Sequence, residues 1–328
     1  MVNRKTVNRF LAAAFLAFGL GAPAQAQDKP PIRILVGFPA GGGGSNLSQL
    51  LADKLREVLK QPVIVENRPG VGGRLAAEAL KNASPNGYSY MVAPNATAVF
   101  QHLMYPVSVL RYDVLKDLTP VATLVSYPLL LAVHGQTGAR SVKDYVAWVQ
   151  AGAGPGQFAT AGQAGQTHLT GLMFAKAAGI RMEVVPYRGN GPLMTDLVGG
   201  QVPAAVVLAG DAMPHVRSGR IQALGIFSTQ RSPLTPGVPT LAEQGFETVR
   251  SDAWFGLWAN AKTPQAELTR MQEAVRQVLA MPEVRTTLED KLAMSPDFKP
   301  AAEMDRLLRS EMDYWAAVIK DADFKAQQ

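Results

Sequence analysis

The 328-residue sequence contains no cysteine. That excludes a disulfide-stapled fold, a thiolate metal site, a cysteine nucleophile and a lipid-modified N-terminal cysteine. Runs of lysine or arginine are missing too, and the 32 basic residues barely exceed the 26 acidic ones. A nucleic-acid partner therefore has no electrostatic footprint here. Histidine is scarce: His102, His134, His168 and His215 are scattered, with no pair at metal-ligand spacing, so neither a metal nor another cofactor is expected. No internal repeat or low-complexity tract occurs. What is present is 47% hydrophobic residues, too apolar for a disordered chain, over a length suited to two domains with their own cores.

The N-terminus reads as an export signal. Arg4, Lys5 and Arg9 form a basic region, Phe10 to Leu20 is a short apolar run, and Ala24-Gln25-Ala26 supplies a small-x-small cleavage pattern. The run is too short to cross a bilayer, which favours a cleaved secretory signal over a retained anchor. Cleavage after Ala26 removes three of the charges behind the formal net +6. A cysteine-free, exported, unanchored chain suggests a bacterial periplasm.

The remainder follows one order twice. Ile32 to Val36 reads as a buried strand, Gly41 to Gly44 as a loop, and Ser45 as the N-cap of a helix carrying Leu47, Leu51 and Leu55. Val63 to Val65 is the next strand, closed by the turn Asn67 to Gly70. Further on, Gln157 to Ala159 is a strand, Gly162 to Gly165 a loop, and Leu169, Leu172 and Met173 belong to a helix. Met182 to Val185 follows as a strand, closed by the turn Tyr187 to Asn190. Each half is a βαβ unit of a parallel sheet. Tyr88 to Ala93, Leu129 to Val133, Pro203 to Leu208, Ala223 to Phe227 and Trp254 to Trp258 are further strands. Pro94 to Thr97 reads as a polar loop facing the cleft. Amphipathic helices span Thr263 to Leu279 and Met304 to Ile319, with Pro264 and Pro282 as punctuation. The expectation is an α/β fold of two lobes joined by a hinge. The first lobe comprises 27–128 and 251–328, and the second 129–250, after a signal at 1–26. Such a clamp places its cleft at the C-terminal ends of the strands.

The glycine loops carry the chemistry. Glycines let backbone approach a ligand, and the helix behind presents unpaired N–H groups with a positive dipole end, suited to a carboxylate, phosphate or sulfate. The first loop is no Walker motif, since no Lys-Ser/Thr follows. Nor is it a dinucleotide fingerprint, since Asn46 stands where the third glycine belongs. His168, in the first turn of its helix, is a donor to an anion or a structural histidine. Arg188 ends a strand at the cleft side, as a contact to an acidic ligand or as a solvated turn residue, and Asp211, a single carboxylate on a helix or loop, is a further ligand-binding candidate. Asn95-Ala96-Thr97 matches a glycosylation sequon but is read as polarity of a cleft-side loop. Trp254 and Trp258 share a strand face and read as core. No nucleophile elbow and no convergent acid–base pair are found, so no enzyme is expected.

Pro31–Gly42 (PIRILVGFPAGG) and Pro62–Gly73 (PVIVENRPGVGG) resemble the Bug family, the extracytoplasmic solute-binding receptors of tripartite tricarboxylate transporters. Tyr112–Ala122 (YDVLKDLTPVA), Val185–Gly189 (VPYRG), Asp196–Val202 (DLVGGQV) and Val238–Gly245 (VPTLAEQG) match in order. The resemblance implies a type II periplasmic-binding-protein fold, closing on a small carboxylate, often a dicarboxylate. It places one carboxylate at Phe38, Ala40, Gly41 and Gly42, and the facing loop at Thr160, Gly162, Gly165 and His168. Ser45, Asn95 and Thr97 would complete the first wall and Gln166 the second. The implied partners are an organic acid and the permease subunits of such a transporter, or alternatively a sensor kinase, with the receptor itself a monomer.

The sequence also departs from the family pattern. Ser45 replaces an aspartate that usually closes the first loop, and Gln49 an arginine. Ala164 replaces a glycine, Thr167 a glutamine, and Pro203 and Val207 stand at commonly acidic positions. Losing the aspartate removes a negative charge beside the anion site, favouring a plain carboxylate over a ligand amino group.

Overall fold

A computed structural model of the chain describes residues 29–163 and 165–321. The proposed signal segment and Ala164 lie outside the described residues. The polypeptide forms two sheets. The first contains β1 (Ile32–Val36), β2 (Val63–Asn67), β3 (Ser89–Pro94), β4 (Leu118–Tyr127), β10 (Ala253–Asn260) and β11 (Ser295–Pro296), in the order β11-β4-β10-β3-β1-β2. The second contains β5 (Leu129–His134), β6 (Gln157–Thr160), β7 (Glu183–Pro186), β8 (Ala204–Leu208) and β9 (Ile221–Ile226), in the order β7-β6-β8-β5-β9.

Both sheets are built on one plan. β1 pairs in parallel with β2 and β3, as β6 does with β7 and β8. An antiparallel strand then continues each sheet: β10 beside β3 and β4 in the first, β5 beside β8 and β9 in the second. That strand arrives in each case across the junction between the lobes. β4 runs through Pro128 directly into β5, and the segment after β9 leads back to β10.

The helices are α1 (Gly43–Leu59), α2 (Arg74–Lys81), α3 (Val142–Gln150), α4 (Gln166–Ala177), α5 (Asn190–Val198), α6 (Ala209–Arg217), α7 (Gln265–Ala280), α8 (Pro282–Leu292) and α9 (Ala301–Asp321). Helix α1 buries Leu47, Leu51 and Leu55, spaced four apart, against the first sheet. The opposite face of that sheet is covered by α2 and α9, where Trp254, Trp258, Met304 and Trp315 are buried. Trp254 and Trp258 are therefore core, as their spacing suggests. Helices α5 and α6 cover the second sheet through Leu193, Leu197 and Ala212.

Several elements differ from the sequence reading. Helix α1 starts two residues before Ser45 and is capped by the backbone of Gly42, without a side-chain bond. Ser45 is instead buried in its first turn, where its Oγ accepts from Asn67 Nδ2 at 3.1 Å. Pro94 to Thr97 is no polar cleft-side loop: β3 extends through Pro94, and a π-helical turn spans Ala96–Phe100. Pro282 opens α8 at its first position rather than merely interrupting the chain. β4 escapes a propensity reading because Pro120, Thr119, Thr123 and Ser126 interrupt its apolar pattern, and its partner β10 is remote in sequence. Among the described residues no helix is long and apolar enough to cross a membrane.

Candidate functional site

Between the sheets lies a cavity of about 470 Å³, within the range for small-molecule sites. Its wall is assembled from helix beginnings. α1 contributes Gly42 to Gly44, α4 contributes Gly165 to Thr167, α5 contributes Gly189 to Pro192, and α6 contributes Leu208 and Asp211. The earliest N–H groups of a helix have no carbonyl four residues back to bond. In α1 the first such bond runs from Asn46 to Gly42, and in α4 from Leu169 to Gly165. The N–H groups of Gly43 and Gly44, and of Gln166 and Thr167, precede those bonds. Each N-terminus also carries roughly half a positive charge from its peptide dipoles. Arg188 adds a full charge at the rim and has no acidic partner among the described residues.

The glycines of the first loop have local reasons. A Cβ on Gly44 would sit 2.9 Å from the Phe255 ring, which forms part of the cavity wall beside Tyr127, their ring centroids 5.1 Å apart. The rims of the lobes meet nearby. Pro39 Cδ lies 3.6 Å from where a side chain on Gly189 would begin, and Leu208 lies 3.6 Å from the equivalent point on Gly43.

Of the residues singled out from sequence, Phe38, Ala40, Gly41 and Gly42 line the cavity from one side. Gly162, Gly165, Gln166, Arg188 and Asp211 line it from the other. Burial pushes the Asp211 carboxyl up to about 6, against the opposing effect of the hydrogen bond donated by Asn190. Gln166 lines the wall while its Nε2 donates to Ser251 Oγ (2.9 Å) and to the Asp252 carbonyl (2.7 Å), tying α4 to the returning crossing.

Five others do not line the cavity. Ser45 is held by Asn67 as described. Asn95 is fully buried, and its Nδ2 donates to Glu311 Oε2 at 3.0 Å and to the Asp252 carbonyl at 3.3 Å. Thr97 Oγ1 donates to the Gly72 carbonyl at 3.1 Å. Thr160 Oγ1 donates to the Gly162 carbonyl at 3.2 Å and also meets the Thr167 hydroxyl, which orders the second loop from behind. His168 is buried with its ring edge-on to Phe158, and burial lowers its pKa to about 4, so the imidazole is neutral at physiological pH.

The tripartite tricarboxylate transporter family receptor model, TctC, matches residues 47–324. The chain belongs to the TctC family. It is similar to the TctC relative Protein BugT of Bordetella pertussis, 30% identical over 318 residues and 96% of each chain. Two solved structures resemble it closely in fold. The R. palustris protein Rpa4515 with adipate is 25% identical with a TM-score of 0.84, over 90% of this chain and 98% of that one. MatC from Rhodopseudomonas palustris with bound malate is 28% identical with a TM-score of 0.81, over 89% and 99%. The fold is thus the two-lobed one of periplasmic binding proteins, and the TctC chain is a solute-binding receptor of that type.

Sequence reasoning did not single out the third helix N-terminus of this TctC cavity, because Tyr187 to Asn190 reads as a turn closing a strand. The signal was Pro192 itself, since proline suits the first turn of a helix. Gln101, Tyr127 and Phe255 also line the cavity, and their local sequence carries no mark of it.

Proposed function

We propose that this chain is a periplasmic receptor that holds a small organic carboxylate, a dicarboxylate or related acid, between its lobes. It then delivers that acid to the membrane permease of a tripartite tricarboxylate transporter. The observation that carries this reading is the convergence of the α1, α4 and α5 N-termini on one cavity, with Arg188 at its rim. The N–H groups at Gly43 and Gly44 take one carboxylate, and those opposite, at Gln166, Thr167 and Gly191, take a second acidic group or its bridging water. Adipate and malate in the two similar structures support an acid of this size. Closure brings the Pro39 and Gly189 rims over the bound acid and sets the surface a permease reads.

The test is thermal unfolding of the purified protein against mono-, di- and tricarboxylates, aromatic acids and acidic amino acids. A ligand at about 100 times its Kd stabilises by about 2.7 kcal/mol, a shift on the order of 5 °C for a chain of this size. Stabilisation by one acid class, with loss of its uptake when the gene is deleted, supports the reading. Stabilisation by none of them, in protein verified to be free of bound acid, defeats it.

A further inference from the structure

Asp211 sets a carboxyl in the wall of a cavity whose helix N-termini suit an anion. It stands in the first turn of α6 and also lines a smaller cavity of about 50 Å³ beside the first, walled by Tyr127, Leu208, Leu292 and Met294. Asp211 Oδ2 accepts from Asn190 Nδ2. Asp211 Oδ1 takes part in no hydrogen bond among the described residues, yet it remains accessible, the residue being only half-buried. Nor does a cation balance the group. Arg188 and His215 share the larger cavity with it, Lys291 the smaller one and Tyr127 both, but none of them pairs with Asp211 among the described residues.

An acid held at the start of α5 brings its carboxylate beside this carboxyl, because Asn190 directly precedes Gly191 and bonds to Asp211. Two carboxylates sharing one enclosed site cannot both stay ionised. We propose that the cleft captures its acid together with one proton, which comes from solvent, settles on Asp211 Oδ1 and is donated in a hydrogen bond to the ligand's carboxylate. This rests on the carboxylate reading above and deepens it, making Asp211 the residue through which pH sets affinity. Asp211 Oδ2 goes on accepting from Asn190, so no rearrangement is needed. Burial lifts this carboxyl from 3.8 to about 6 in the empty cleft, with only the Asn190 bond opposing it. At neutral pH the empty site is therefore mostly ionised and the filled site protonated, and affinity falls as pH rises above about 6.

The test is calorimetric titration with succinate, malate and adipate, and with whichever acid of the panel above stabilises most. Amine buffers of different ionisation enthalpy are used, since these do not compete for an anion site. Near neutral pH the heats should report uptake of about one proton per acid bound. Between about pH 6.5 and 8.5, where the diacids are already ionised, Kd should rise about ten-fold per pH unit until the filled site itself begins to titrate. Asp211→Asn keeps an N–H donor in that place without a charge. It should bind with no proton uptake and a flat pH profile, and at about pH 8.5 some ten-fold or more tighter than the parent. Its Tm at that pH should equal or exceed the parent's, because a buried charge has gone. His215→Gln removes the other titrating side chain on the cavity face of α6 and should keep both the uptake and the slope. Binding without proton uptake and with a pH-independent Kd, or a slope that His215→Gln abolishes and Asp211→Asn retains, would overturn the inference and leave the carboxylate reading intact. Binding of no acid at all would overturn both.

Discussion

Gly42 is the position where charge at the first loop can be changed without disturbing the backbone. It is the N-cap of α1, with φ −79° and ψ 163°, an extended conformation open to any residue. A Cβ there would have the Pro39 carbonyl oxygen as its nearest neighbour, at 3.9 Å. Gly41 is unsuitable because its φ of +89° strains any L side chain. Gly42→Asp installs a favoured cap whose carboxylate accepts from the N–H groups of the first turn. The helix should gain a few tenths to about 1 kcal/mol from the cap and the dipole, raising Tm by about 1–2 °C. The same carboxylate occupies the ground proposed for the ligand. Two like charges about 4 Å apart at an effective dielectric near 20 repel by about 4 kcal/mol, and so affinity should fall by about three orders of magnitude. Gly42→Asn keeps a cap without the charge and should lose far less. Unfolding curves and acid titrations of the three proteins read both effects. An undiminished affinity in Gly42→Asp would refute the assignment of the anion site to the start of α1, and a lower Tm would refute the capping argument.

Two buried titratable groups should act on stability in opposite directions. Burial raises Glu311, on α9, from 4.5 to about 7, partly offset by hydrogen bonds donated by Asn95 and Trp254. The folded state therefore keeps that proton over a range where the unfolded chain has lost it, and stability falls as pH rises from 4.5 to about 7. His168 is lowered by burial from 6.5 to about 4, so its contribution is present above 6.5 and is lost as pH falls toward 4. Each shift is worth about 3 kcal/mol. Urea unfolding across this range should show Glu311→Gln gaining on the parent as pH rises and His168→Gln gaining on it as pH falls; parallel curves would show that the groups titrate normally. Gly44→Ala drives a methyl to 2.9 Å from the Phe255 ring, and overpacking of this kind costs about 1–3 kcal/mol. Its Tm should fall by several degrees and its acid affinity with it, whereas an unchanged Tm would show that the ring moves freely.

The sequence exposes what is local and hides what is assembled. β1 and α1 are legible because Ile32, Ile34 and Val36 form a short apolar run and Leu47, Leu51 and Leu55 recur at helical spacing. The glycine loops are legible because Gly41 and Gly162 take a positive φ and Gly44 packs against the Phe255 ring, places few other residues suit. Ser45 misleads as a cap because a backbone glycine serves instead, and its hydroxyl is claimed by Asn67 from the next strand. Asn95 and Thr97 look like polarity of a cleft-side loop because their partners, Asp252, Glu311 and Gly72, are not their sequence neighbours. The same remoteness conceals Gln101, whose place in the wall depends on the close passage of Gly72.

The insertion of the whole second sheet between β4 and β10 bears on how the molecule comes into being. Until residues 253–260 have been made, the first sheet is two separate pieces, β2-β1-β3 and β4 alone, with the gap for β10 between them. β11 itself comes later still. A nascent or truncated chain ending before that point exposes the β3 and β4 edges that β10 would join, each free to pair with another chain. The first lobe thus waits for nearly the whole polypeptide, and its formation is governed by distant pairings, which are slow to close. The second sheet, by contrast, is built from the one continuous stretch Leu129 to Ile226, so it can form while the first still waits for β10.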